Sequence, residues 1–254
     1  MTSFIRVFRS ELIKSRRTKG FLISILFPFA ISLMFFFIYY IKYEYFVVMG
    51  TNPWELMGAN EFRIMGVLIM PLYLLLTAYV INFTEHKSKS WKCIFTLPVP
   101  KFYIYASKIL LVIIWLVIFI ITSCLFFFAT GLLLSYLRPE LQFRDYDSTS
   151  LVIKTFLQLF VSGFGILSIQ FFLSIYWNDF IRPVGLGIGL IIIATLLNSW
   201  EYIYILPFSH PYYVAKEFSS IIDENIPYYL LYGFLISIVF FIGGYFMVSR
   251  KETK

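Results

Sequence analysis

An all-α polytopic membrane protein with six transmembrane helices is the fold class that this 254-residue sequence predicts, and three observations predict it. Six stretches of 18 to 29 residues contain no Asp, Glu, Lys or Arg. Apolar residues make up 60% of the chain and charged ones 14%, with a mean hydropathy of +0.81, whereas a water-soluble domain has about a quarter of its residues charged. The basic residues gather in alternate connecting segments, as orientation in a bilayer requires. A soluble fold is excluded on these grounds.

Residues 1–20 come first and read as a basic amphipathic helix lying at the interface. At 100° per residue Phe4, Ile5, Phe8 and Leu12 share an arc, and Arg6, Arg9, Arg16 and Arg17 lie largely opposite; Val7 and Ile13 fall off it. Such a helix serves as a charged anchor on the inner leaflet, as a contact for a cytoplasmic partner, or as both. The spans follow at 21–41, 64–83, 109–137, 155–177, 183–200 and 228–249. Each approaches or exceeds the roughly 20 residues that cross a hydrocarbon core about 30 Å thick. The first is too long for the apolar part of a signal peptide and ends in Tyr39, Tyr40, Ile41, Lys42 and Tyr43 rather than in small residues, so it is expected to be retained. Pro28 and Pro71 fall inside the first two spans, where the missing amide donor bends a helix unless neighbours compensate. The third exceeds the membrane thickness and must tilt, extend beyond it, or kink near Gly131. Between the fifth and sixth spans, 201–227 is apolar at Tyr202 to Phe208, is interrupted at Pro207 and Pro211, and then becomes charged. It is expected to form a broken hairpin on the outer side, with Leu206, Pro207 and Pro211 at its bend.

With the N-terminus inside, the inner segments hold 15 basic and 4 acidic residues and the outer ones 6 and 10. Both termini are therefore predicted to be cytoplasmic. The net charge of +7 is a topology signal, and no basic segment stands apart as a nucleic-acid-binding domain. The chain reads as a single transmembrane domain over 1–254, without internal repeats.

Chemistry is scarce along the spans. Their lack of charge argues against a proton- or sodium-coupled transporter and against a channel with acidic rings. His86 and His210 fall on opposite sides and cannot share a metal, and Cys93 and Cys124 lie at different depths and cannot pair. No metal site and no bound cofactor is expected. Gly185, Gly187 and Gly189 lack the Lys and Ser/Thr of a phosphate loop, and Gly185 with Gly189 forms a small-xxx-small pair suited to close helix packing. Gln158, Ser162, Gln170 and Asn198, in the fourth and fifth spans, are candidates to line a substrate path, although hydrogen bonding between helices explains such residues as well.

The inner loop after the second span carries the most specific signal. It runs from Glu85 through Trp91, Lys92, Ile94, Phe95, Leu97, Pro98 and Pro100 to Lys101. Large apolar side chains in an exposed basic stretch need a surface to cover them, either the bilayer interface or a docked cytoplasmic protein.

This loop resembles the segment between the second and third spans of type-2 ABC exporter permeases: an acidic residue (Glu85), a short helix ending in Leu-Pro (Leu97, Pro98), a basic residue (Lys101), then Ser-Lys (Ser107, Lys108) entering the next helix. Glu85-His86-Lys87 before Trp91-Lys92, and the opening Ser10-Glu11-Leu12-Ile13-Lys14-Ser15-Arg16-Arg17-Thr18, look like the lantibiotic-immunity branch of that family. Asn52-Pro53-Trp54 and Leu206-Pro207-Phe208-Ser209 are similar too, with Phe208 where the branch tends to have Trp. The resemblance implies a permease without an ATPase of its own, paired with a second permease as a homodimer or heterodimer in a bacterial cell membrane. A separate ATP-binding subunit, carrying ATP and Mg, would dock at Glu85, Trp91, Lys92, Ile94, Phe95, Leu97, Pro98 and Lys101, and on the N-terminal helix at Phe4, Phe8, Glu11, Leu12 and Lys14. The cargo implied is a hydrophobic or amphiphilic molecule such as an antimicrobial peptide. Two other readings stay open on the residues alone: a lipid-acting membrane enzyme using Glu140, Asp145 and Asp147, and a scaffold or sensor that transports nothing.

Overall fold

The computed structural model describes residues 2–16, 20–47, 50–87, 99–218 and 227–250, and all regular structure among them is helical. In lipid each backbone N–H and C=O must be satisfied within its own segment, so apolar stretches of this length become helices. Helix α1 spans Thr2–Arg16, α2 Gly20–Ile41, α3 Pro53–Ile64, α4 Met70–Lys87, α5 Lys101–Leu137, α6 Thr149–Tyr176, α7 Ile181–Leu196, α8 His210–Lys216 and α9 Tyr228–Arg250. A π-helical turn, Met65–Ile69, joins α3 to α4 without a break. Five helical runs are long and apolar enough to cross a membrane: Gly20–Ile41, Pro53–Asn82, Lys101–Leu137, Thr149–Tyr176 and Tyr228–Arg250.

Most predicted spans coincide with helices, and the differences have physical causes. The second begins eleven residues before the predicted start at Ile64, because Asn52 caps it: the Asn52 side chain accepts from the Trp54 N–H at 3.1 Å, and Pro53 occupies the first helical position. Half of the expected outer segment 42–63 is therefore helix. Pro71 cannot donate to a carbonyl one turn earlier, and the wider π turn directly before it absorbs the mismatch. Helix α5 runs unbroken for 37 residues, about 55 Å, and so extends beyond the hydrocarbon core. Gly131 lets the Trp54 ring lie against the helix, where any Cβ would overlap it. The expected fifth span, 183–200, is the 16-residue α7, about 24 Å long and short of a full crossing.

Contacts between elements define two ends. At one end Phe4 of α1 meets Tyr103 of α5 edge-on at 5.8 Å, and Lys101 Nζ donates to the Ser249 carbonyl of α9 at 2.9 Å. The Asn82 amide of α4 donates to Ser174 Oγ of α6 at 2.8 Å there as well, so α1 and the last turn of α9 share this end. At the other, Arg138 Nε donates to the Tyr40 carbonyl, Asn52 bonds Ser148, and Trp54 Nε1 donates to the Phe143 carbonyl at 2.8 Å. Midway, Tyr73 OH donates to the Trp115 carbonyl at 2.8 Å and lies 2.8 Å from Ser24 Oγ, tying α4, α5 and α2 together.

The broken hairpin expected after the fifth span is present as two short 3₁₀ turns, Ile203–Ile205 and Pro207–Ser209, followed by α8. It is enclosed by protein on several sides. Three glycines seat it: Gly165 of α6 under Pro207, Gly66 of the π turn under the Pro211 carbonyl, and Gly233 of α9 under the His210 ring. By contrast, a Cβ on Gly185 or Gly189 would meet nothing within 4 Å, so the expected small-xxx-small contact is not made within the chain. Gly187, between them, is the residue packed closely, against Gln170 and Leu75.

Replacing Gly66 with Val should push the Pro211 carbonyl out of its seat and destabilise the protein by about 1–3 kcal/mol. Gly185→Ala should stay within about 1 kcal/mol of wild type. Thermal unfolding of both variants in the same detergent checks the contrast.

Candidate functional site

Helix α1 carries one acidic residue among its basic ones, and the fold buries it. Glu11 is 4% exposed and Lys108, seven residues into α5, 1%. Lys108 Nζ lies 2.9 Å from Glu11 Oε2 and donates at 3.3 Å to the Ile81 carbonyl near the end of α4. Lys14 Nζ, half-buried on the next turn of α1, completes the carboxylate at 2.6 Å from Oε1. Burial alone would raise the Glu11 pKa, but the two ammonium groups outweigh it and hold the carboxyl below its ordinary 4.5.

This arrangement fastens three elements with one charge. Helices α4 and α5 are the two flanks of the segment 88–98, and Lys108 joins both to α1. A displacement of α1 or of either flank must carry the others or break a desolvated ion pair. Phe4 and Phe8, stacked at 6.4 Å, with half-buried Leu12, form the apolar side of the same joint. The predicted N-terminal residues Phe4, Phe8, Glu11, Leu12 and Lys14 are therefore brought together, on the face of α1 turned to the bundle.

The inner-loop residues fare differently. Trp91, Lys92, Ile94, Phe95, Leu97 and Pro98, together with the Glu85 side chain, lie outside the described residues. Lys101 opens α5, and its bond to Ser249 anchors the end of α9. Of the path candidates, buried Ser162 bonds its own helix at the Leu159 carbonyl, Gln170 is buried beneath Gly187, Gln158 is half-buried, and Asn198 sits beyond α7 beside Ser199. In the hairpin, Pro207 and Pro211 are buried and Leu206 half-buried.

The burial of two charged groups was not legible in the sequence because the spans were drawn too short. Lys108 lies just before the expected third span and Glu61 just before the second, yet both are inside helices. The charge-free stretches are free of charge as delimited; the helices that contain them are not. His210, expected in a loop, is fully buried, and its Nε2 lies 2.8 Å from the Tyr204 carbonyl. Glu140, Asp145 and Asp147 are exposed, and Asp147 accepts from the Thr149 N–H at the start of α6 at 2.9 Å. Among the described residues no cluster of three His, Cys, Asp or Glu could hold a metal.

Removing Lys108 alone, as Lys108→Met, should cost up to about 3–5 kcal/mol, because it leaves the buried carboxylate with only the partly solvated Lys14 as counter-charge. The double variant Glu11→Leu with Lys108→Met should recover much of this, which a double-mutant cycle of unfolding in detergent checks. The pair also sets an acid limit. A carboxyl whose folded pKa lies below 4.5 contributes above that pH and loses its contribution as the pH falls further. The stability difference between wild type and Glu11→Gln should therefore narrow on acidification below that point.

A family model described as ABC-2 family transporter protein matches residues 7–195, which covers most of the chain. No curated protein matches it. The match takes in α1, the 88–98 segment and the helices that the Glu11–Lys108 pair joins. The chain belongs to this transporter family and is a multi-pass membrane protein of its permease type.

Proposed function

We propose that this ABC-2 family protein is the permease subunit of an ATP-driven exporter in a bacterial cell membrane, without catalytic activity of its own. Members of the family normally work with a cytoplasmic ATPase and pair with another permease. In this reading the ATPase docks on 85–101 and on α1, ATP and Mg are bound by that partner, and a second copy or a related permease completes the path. The cargo is a hydrophobic or amphiphilic molecule of the antimicrobial-peptide class, as the likeness to the lantibiotic-immunity branch suggests. Both termini face the cytoplasm, and α7 with the hairpin after it makes the sixth crossing.

One observation carries this reading: the buried Glu11–Lys108 pair, which clamps α1 and both flanks of the 88–98 segment at one end of the bundle. Force applied there by a partner enters the membrane helices through a joint with little slack. The basic excess of the inner segments supports placing that end in the cytoplasm. The enzyme reading lacks any gathering of its three candidate carboxylates, since they are solvent-exposed and Asp147 accepts from the Thr149 N–H.

Replacing Trp91, Leu97 and Lys101 together with Ala should reduce co-purification of the ATPase and its stimulated turnover by about tenfold or more, the equivalent of 1.4 kcal/mol of docking energy. An unchanged complex removes the docking role. Substrate efflux from liposomes carrying the paired subunits separates a transporter from a scaffold: ATP-dependent release is expected.

A further inference from the structure

Glu61 is a carboxyl group for which neither the fold nor the docking of a motor has a use. It lies in the apolar run Pro53–Asn82, is 3% exposed, and takes one hydrogen bond, from Ser32 Oγ of α2 to Oε1 at 3.1 Å. Its second oxygen, Oε2, has no partner. The ion pairs among the described residues join Glu11 to Lys14 and Lys108, and Asp179 to Arg182; none reaches Glu61. Arg63, two residues along the same helix, points outward and is exposed. From α2 the titratable neighbour is Tyr39, whose hydroxyl is held by Asn60 at 3.3 Å. From α5 the neighbouring polar group is Thr130, bonded to the Ser32 carbonyl at 3.4 Å, and Phe127 and Phe218 close the region around Phe62.

An ionised carboxylate cannot remain in hydrocarbon without a counter-charge, so Glu61 needs a cation. The surroundings decide which. A metal ion requires several oxygen or nitrogen ligands, and no group of three His, Cys, Asp or Glu that could hold one is found among the described residues. An organic cation requires room, and Glu61 lines neither the groove of about 390 Å³ between α5 and α9 nor the cavity of about 460 Å³ beside Trp54. A proton needs neither ligands nor volume. The remaining cost, one unsatisfied O–H, is far smaller than that of an unpaired charge.

We propose that Glu61 is a proton-binding site within the membrane part of the protein, emptied only when α2 and α3 part enough to let water reach Oε2. The site is independent of the cargo and of the ATPase. It binds through the Ser32-supported carboxyl, and a proton there removes the charge that burial among apolar side chains disfavours.

The test uses the full chain in lipid nanodiscs. N,N′-dicyclohexylcarbodiimide, which attacks protonated carboxyls in apolar surroundings, should modify Glu61 at neutral pH, as seen by peptide mass spectrometry, and more slowly at alkaline pH. Thermal unfolding of wild type and Glu61→Gln, a neutral mimic of the protonated group, should converge near about pH 5, with wild type falling several degrees below the variant near about pH 9. Either signal carries the proposal. An unmodified Glu61 together with a difference that does not change with pH overturns it.

Discussion

Water is absent from a bilayer core, and that constraint governs the rest of the molecule. Helices meet it by pairing their own backbone, and the serines and threonines inside them bond carbonyls three or four residues earlier, as Ser123, Thr155, Ser162 and Ser168 do. The segment from Ile203 to Phe218 cannot meet it alone, because two prolines and two 3₁₀ turns leave its backbone irregular. It is accommodated by the protein instead. Ser209 Oγ bonds the Ile203 carbonyl at 3.0 Å, His210 Nε2 pairs with the Tyr204 carbonyl, and glycines on three neighbouring elements remove the side chains that would keep the hairpin out.

The same constraint explains what the sequence made legible. Hydropathy places α2, α6 and α9 to within a few residues of their predicted spans, because the signal is the length of an uncharged run and lipid enforces that length. Helix boundaries set by caps were harder: Asn52-Pro53 is a readable N-terminal signal, but a search for uncharged residues skips over Arg63 and Glu61 to start at Ile64. Gly131, Gly185 and Gly189 show why glycines are hard to read from sequence. A glycine reports that something comes close or that nothing does, and only the partner, such as Trp54, distinguishes the two.

The candidate site shows where one-dimensional reading runs out. Glu11 and Lys108 each belong to a motif that looked familiar, yet their pairing spans 97 positions and no local spacing encodes it. Burial of both groups turns two surface-type residues into a joint, since separating desolvated charges costs much more than separating solvated ones. Lys14, on the same helix, adds a second cation to the carboxylate but remains partly solvated and contributes less.

Helix α5 connects this joint to the opposite end of the molecule. It carries Lys108 near its start, Trp115 and Phe119 against Tyr73 in the middle, and Gly131 under Trp54 near its finish, with no proline or break between. From Lys108 to Gly131 is about 35 Å of continuous helix. That continuous helix joins the charged pair at one end to the packing of Trp54 on Gly131 and of the Phe62, Phe127, Phe156 and Phe218 rings at the other. The two ends hold by different physics. An ion pair resists until its geometry is lost, whereas offset aromatic rings exchange one packed arrangement for another at modest cost. The desolvated ion pair is therefore the less adaptable attachment of α5, and the aromatic cluster beside the hairpin the more adaptable one.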